Sequence, residues 1–526
     1  MRVKKSGIYN TLINWRDFRQ KIIAEGLVVG IFAGAIAALY RFIIKEADLF
    51  REQIYHILRS SGYAVILVWF VFLLVAAYIL GMMVKKEPLV SGSGIPQVKG
   101  VLSGQMHMKW LRVIIYKFVG GIIALGAGLS LGREGPSVQL GAAAGQGVSR
   151  MLGRLKVEEK YLITCGASAG LSAAFSAPLA GAMFALEELH KNFSPLVLVP
   201  AMVASMIAGF ISHQFFGQVP VFNFGRLNPL PLKYYFYVLI LGIITGAFGV
   251  AFNLALVKTQ EGFKKLQFVM PELKPAIPIT VAGILGFILP QVLGGGNALI
   301  NSLDRMKYSA GFIMILLAVK FLFTMVSYGS GVPGGIFLPL LVIGALTGNL
   351  YGSLIVNVLH LNPAYVNNFI VLAMAGYFSA IVKAPITGGI LITEMTGSFV
   401  HLLALTLISI TSYLTADLLK GEPVYDILLE RMLAGNKSEK NIPGAGRKIL
   451  MEIPVCVGSE LDGKKIKDVE WDPHCLLVGI NRGTSEIIPR GNTRIYPGDY
   501  LVVLADEGRA VTIRKKLLDM TEITEK

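Results

Sequence analysis

Charge is scarce in this chain. Asp, Glu, Lys and Arg together make up 16% of 526 residues, where an ordinary soluble domain carries about a quarter. Cysteine is scarcer still. Cys165, Cys456 and Cys475 share no metal-ligand or redox spacing, which excludes a thiolate centre or a disulfide framework and suits a reducing compartment. No His-Glu-x-x-His, phosphate-binding loop or Thr-Val-Gly-Tyr-Gly stretch occurs, so zinc-protease, nucleotide-hydrolysing and potassium-filter chemistry have no footing, and no metal is expected. A cleavable secretory leader is not expected either, because the first apolar run is too long and lacks a small-residue cleavage site.

What is abundant is apolar. Hydrophobic residues reach 54%, glycines number 58, and the mean hydropathy is +0.62, the composition of a polytopic membrane protein. The net charge of +16 could suggest nucleic acid, yet no compact domain concentrates it beside aromatic platforms, so none is expected as a partner. Arg2, Lys4, Lys5, Arg16, Arg19 and Lys21 precede the first span and the hydrophilic tail is also basic. The positive-inside rule then places both termini in the cytoplasm, with the spans in the cell's inner (plasma) membrane.

Residues 22–44 form a first long apolar helix with Gly26, Gly30 and Gly34 on one face, a spacing for close helix packing. Residues 63–84 form an uncharged span long enough to cross a bilayer. After these the apolar segments shorten. Those at 136–148, 161–174, 178–189, 368–381 and 385–395 are too short to cross at about 1.5 Å per residue. Their ends are therefore expected to meet inside the protein, where ions or polar groups satisfy them.

The stretch Gly132-Arg133-Glu134-Gly135-Pro136 sets an ionisable group inside such a segment, between glycines and at a helix start marked by proline. Free N–H groups and the dipole at a helix start attract anions, and Glu134 is itself an anion placed there. Gly335-Ile336-Phe337-Leu338-Pro339 repeats the punctuation at an offset of 203 residues (335 − 132). Ala-Pro-Leu-Ala-Gly (177–181) and Ala-Pro-Ile-Thr-Gly (384–388) do so at 207 (385 − 178), which sets Glu187 opposite Glu394. Matching Gly/Pro breaks in two halves point to a transporter's binding site. Ser91-Gly92-Ser93-Gly94-Ile95-Pro96 is a third break, with a hydroxyl held between glycines as a neutral donor.

These three motifs, in this order and spacing, resemble the signatures of the CLC chloride channel and transporter family, over roughly residues 20–433. Ala177–Gly181 with Glu187-Glu188 and the run Gly421-Glu422-Pro423-Val424-Tyr425 are similar to that family too. The resemblance implies an all-α polytopic membrane fold of two inverted-topology halves built from broken, tilted helices. It also implies a homodimer with one anion pathway per subunit. Chloride is then held by the hydroxyls of Ser93 and Tyr425 and the backbone N–H groups of Ile336 and Phe337, with Arg133 and Gly135 beside it. Donors without full charge bind an anion without trapping it. By the same resemblance Glu134 is the gate and external proton acceptor, and Glu188 the internal proton-transfer acid. Glu187 reads as structural. Lys99 stands where some relatives carry an acid, and Gln97 replaces a common glutamate.

The composition changes after residue 432. Residues 434–448 read as a linker, and 449–526 as a small α/β cytoplasmic domain with strands at 449–457, 475–480 and 500–505, a turn at 496–499 and a helix at 507–520. Gly458–Lys464, Ile488–Gly491 and Pro497–Asp499 resemble the TrkA-C type of regulatory domain, which implies a small cytoplasmic ligand such as a cyclic dinucleotide. The domains are therefore 1–21, 22–433, 434–448 and 449–526. The function implied is chloride/proton antiport without an enzymatic step or cofactor. A passive, voltage- or ligand-regulated chloride channel on the same fold is the alternative. A hydrolase reading has only Gly166-Ala167-Ser168-Ala169-Gly170, a Gly-x-Ser-x-Gly match inside a small-residue helix that lacks the strand this motif needs.

Overall fold

The computed structural model describes residues 15–435 apart from 192, 226, 267 and 307, and residues 448–521 apart from 483–484 and 507–509. The chain divides into two compact units between Gly435 and Asn436. Most of the expected N-terminal segment and linker, and the start expected for the tail helix, lie outside the described residues.

Among the described residues of the first unit, nine helices are long and apolar enough to cross a membrane. The first, Trp15–Ser60, has 46 residues, twice the length its apolar run predicts. Its glycines do what their spacing suggests. A Cβ on Gly30 would lie 2.7 Å from the Ala204 carbonyl oxygen, and one on Gly34 2.7 Å from Ala208 Cα. The helix therefore rests backbone to backbone on Pro195–Phe216.

The short-segment expectation needs correction at three places. Glu134–Met151 and Lys156–Phe175 are continuous helices of 18 and 20 residues, so both exceed their apolar runs of 136–148 and 161–174. A hydropathy reading stops short of their polar ends, yet Glu134, Ser149 and Glu158, which lie beyond the apolar runs, are all buried. Protein, not lipid, surrounds these helices, and polarity there does not end a helix. The two cross at contact distance because neither carries a side chain where they touch. A Cβ on Gly141 or Gly166 would strike the other's carbonyl oxygen, and one on Gly170 that of Ser137. Gly166–Gly170 is thus a packing surface within a helix.

The segment at 368–381 is likewise longer than expected, as Tyr365–Val382. Other breaks are short as expected. Pro178–Phe184 passes into a π-helical turn, Ala185–His190, and Pro385–Thr396 has 12 residues.

Here the halves grip each other reciprocally. The N–H groups of Leu179 and Ala180 donate to Glu394 (3.1 and 2.7 Å), and those of Ile386 and Thr387 donate to Glu187 (3.0 and 2.6 Å). Each glutamate thus caps the opposite half's broken helix, where free N–H groups need acceptors. An exchange of residue i with j and j with i marks a local two-fold relation. It bears out the structural reading of Glu187 and Glu394.

In the second unit four antiparallel strands run in the order β1-β4-β2-β3, with β1 Lys448–Pro454, β2 Cys475–Arg482, β3 Ser485–Ile487 and β4 Asp499–Asp506. Alternation sets Leu501 and Val503 inward with Ile453, Ile480, Ile513 and Leu517 of the helix Ala510–Thr521. β3 was not expected; at three residues it is too short to carry a pattern. Asp499 closes the expected turn. It accepts from Arg482 through both oxygens (2.7 and 2.8 Å) and from the Tyr496 N–H (2.9 Å). Burial pushes the Asp499 carboxyl up, but these donors outweigh it and hold the group below its ordinary value.

Candidate functional site

The three glycine-rich breaks, up to 243 positions apart in sequence, meet at one place. Gly132 and Gly335 exchange N–H···O bonds of 2.6 and 2.8 Å. Gly92 donates to Val332 (3.1 Å) and accepts from Gly334 (3.0 Å), so the 335 loop lies between the other two. Gly92 and Gly94 have φ of +63° and +95°, the left-handed region that favours glycine. They turn the chain sharply on either side of Ser93, ahead of the helix Ile95–Leu102. Gly135 is required for contact: a Cβ there would overlap Ser93 Oγ and lie 2.8 Å from the Ser93 carbonyl oxygen.

Ile336 and Phe337 start the helix Phe337–Val358, so their N–H groups have no intrahelical acceptor. The Phe337 ring is walled by Phe175, Phe184 and Phe378 at centroid distances of 5.1, 6.5 and 4.8 Å. Among the described residues, Ser93 Oγ and Tyr425 Oη are buried without a hydrogen bond of ordinary geometry; the two hydroxyls face each other, and Tyr425 lies within electrostatic reach of Glu134 and Glu188. Glu134 is fully buried, and among the described residues both its carboxylate oxygens also lack a hydrogen bond of ordinary geometry, although they face its own N–H and that of Leu338. Its carboxylate sits where a Gly132 Cβ would be, on the side of the Leu338 N–H. Arg133 Nε is 3.8 Å away. Buried polar atoms without an ordinary hydrogen bond are rare in folded proteins. Four in one neighbourhood, at two helix starts, make a place for a mobile ligand.

Beside Arg133 and Leu338 opens a cavity of about 610 Å³, lined also by Lys45, Arg51 and Arg59 and by Asp48 and Glu52. With Arg133 counted, cations outnumber acids among these residues by four to two, which raises the local concentration of anions.

Glu188 lies on the π-helical turn and is 2% exposed. Lys99 Nζ donates to Glu188 Oε1 at 2.7 Å and to Asp426 Oδ1 at 2.5 Å, and Lys191 also pairs with Asp426. Lys99 is therefore the direct partner of Glu188. Gln97 instead holds the Ser91 carbonyl at 2.6 Å.

The structure adds residues that the motifs did not indicate. Lys117, wholly buried, grips the carbonyls of Val90 and Gly92 at 2.9 and 2.6 Å, and Lys320 grips those of Val292 and Gly294 at 2.9 and 2.7 Å. They stand 203 positions apart (320 − 117), the offset of the glycine motifs, so the repeat itself could have found them. Tyr328 Oη lies 3.1 Å from the place of a Gly92 Cβ and beside the Ser93 backbone. A tyrosine in an apolar run carries no signal of that kind.

A sequence model described as voltage gated chloride channel matches residues 75–417, and one described as TrkA-C domain matches residues 450–518. The H(+)/Cl(−) exchange transporter ClcA of Citrobacter koseri is 33% identical over 452 residues, covering 84% of this chain and 94% of its own. The Vibrio cholerae transporter of the same name is 35% identical over 434 residues, covering 80% and 91%. Among solved structures, a slow cyanobacterial Cl−/H+ antiporter superposes with a TM-score of 0.75 at 29% identity, covering 79% of this chain and 99% of its own.

Proposed function

The chain belongs to the voltage-gated chloride channel family, and from that membership we propose that it exchanges chloride for protons across the membrane. It is a transporter, not an enzyme, and carries a TrkA-C domain at its C-terminal end. The observation that carries the site is the meeting of two helix starts around the buried oxygens of Ser93, Tyr425 and Glu134, which lack hydrogen bonds of ordinary geometry among the described residues. Chloride lies between the hydroxyls of Ser93 and Tyr425 and the N–H groups of Ile336 and Phe337. Arg133 draws it in from the cationic cavity, and Gly135 gives the backbone room.

Glu134 works as the gate because it competes for those donors. Ionised, its carboxylate occupies an anion's place at the helix starts. Protonated, it loses that attraction and frees the place for chloride, so each visit of the side chain exchanges one charge for another. Glu188 hands protons to and from the opposite side. The proposal extends to a homodimer in the inner membrane with both termini cytoplasmic, a transmembrane domain at 22–433, a linker at 434–448 and a regulatory domain at 449–526. A cyclic dinucleotide is the kind of ligand the last would take.

Coupled fluxes in liposomes test the reading. Under a chloride gradient at clamped voltage, chloride efflux drives protons uphill. Glu188→Gln stops the protons and spares chloride, whereas Glu134→Gln stops proton movement and leaves chloride flux independent of pH. Chloride movement in the wild type with no accompanying protons would establish a passive channel instead.

A further inference from the structure

Four charged side chains form a line of falling exposure that ends on Glu188. Side-chain exposure is 47% at Lys191, 14% at Asp426, 5% at Lys99 and 2% at Glu188. Each is joined to the next by an ion pair: Lys191 to Asp426, Asp426 to Lys99, Lys99 to Glu188. Three separate elements supply them: the helix Ile95–Leu102, the π-helical turn with the Lys191 that ends it, and the helix Val424–Gly435. A buried carboxylate cannot collect protons from water directly, and its neighbour Glu187 is committed to the Ile386 and Thr387 amides. A structural ion-pair cluster would satisfy the charges equally well, but it would not require a graded approach to solvent. Asp426 also directly follows Tyr425 on the same helix, so the second member of the line is tied to a residue of the anion site.

We propose that Asp426 takes up protons from water and that Lys99 passes them on to Glu188. The proposal rests on the reading of Glu188 as the internal proton-transfer acid. The step balances. A hydronium ion gives its proton to an Asp426 carboxylate oxygen and leaves as water. Lys99 then gives one ammonium proton to Glu188 and regains one from Asp426. An O–H bond breaks at Asp426, one forms at Glu188, and Lys99 ends as it began. Lys191 stays in its ion pair and holds the Asp426 carboxylate at the surface. Among the described residues, the charged groups close to Glu188 are Lys99, Asp426 and Lys191. The adjacent His190 is turned to the Thr164 hydroxyl at 2.7 Å.

The test uses the full chain in phosphatidylethanolamine/phosphatidylglycerol liposomes, with proton and chloride fluxes followed together. Asp426→Asn lowers proton flux about 100-fold or more, the scale of losing a positioned acid, with chloride flux little changed. Asp426→Glu restores proton flux. Lys99→Arg keeps both ion pairs, but guanidinium does not release its proton, so it too loses proton flux. That variant tests the relay even if Asp426→Asn fails to fold. Wild-type coupling in Lys99→Arg or in Asp426→Asn overturns the relay. If Glu188→Gln itself keeps coupled proton movement, the failure lies with the underlying reading of Glu188.

Discussion

Gly135→Ala is the smallest change that reaches the centre of this site. The added carbon would overlap Ser93 Oγ and stand 2.8 Å from the Ser93 carbonyl oxygen. Ordinary contact needs about 3.4 Å, so Ser93 or the helix start must retreat by about 0.6 Å. Ser93 has little room to do so, because Gly92 is bonded to Val332 and Gly334 on the far side. Over-packing of this kind costs about 1–3 kcal/mol of stability. A displaced hydroxyl also forfeits a hydrogen bond to an ion, worth about 1.5–3 kcal/mol, which weakens chloride binding by about 10- to 150-fold. Calorimetric titration of chloride into the purified variant reads that number, and liposome flux reads its consequence. Gly311→Ala is the matched control, since nothing among the described residues lies within 4 Å of a Cβ there. Wild-type chloride affinity in a folded Gly135→Ala protein would refute the placing of Ser93 in the anion site.

The two capping glutamates predict a matched pair of defects. Glu187→Ala and Glu394→Ala each lower stability by about 2 kcal/mol, the upper range for losing an N-cap, without changing the proton-to-chloride ratio. Survival on size-exclusion chromatography after heating checks the first and liposome flux the second; a lost ratio in Glu187→Ala would move that residue onto the proton path. Lys117→Met and Lys320→Met each strip two carbonyls of a charged donor and cost about 1–3 kcal/mol. The repeat makes the two costs similar, and clearly unequal unfolding midpoints would count against their equivalence. In the tail, the Asp499 carboxyl lies below its ordinary value when folded. Its stabilisation is therefore present above about pH 4 and is lost as pH falls through the folded value. Protection from hydrogen exchange relative to the intrinsic rate falls across Asp499–Asp506 in the wild type below that pH, whereas Asp499→Asn is less protected already at neutral pH and shows a flatter acid limb.

The glycine motifs were legible in sequence because each meets a local demand. A positive φ, a close approach or a helix start needs a particular residue type whatever lies around it. The repeat was legible for the same reason, and with it the partnership of Glu187 and Glu394. Helix length was harder to read at Glu134–Met151, where burial among other helices removes the usual link between polarity and a helix end. Hardest was the Lys99–Asp426 pair, whose members stand 327 positions apart. A lysine in an apolar stretch announces a need for a partner but not its identity, and that identity is set only when helices from both ends of the chain come together.

The exchanged caps also bear on how the molecule is made. The amides of Leu179 and Ala180 wait for a carboxylate 215 and 214 residues further along the chain. At about 5–20 residues per second that is roughly 10–40 s of synthesis. During this interval the first half is already committed to the membrane with a helix start unsatisfied. Such an intermediate is exposed to quality-control proteases, and a chain truncated before residue 394 remains so permanently. Nonsense mutations that stop the chain before residue 394 should therefore leave no stable half-protein behind, although the first half holds two of the three glycine motifs.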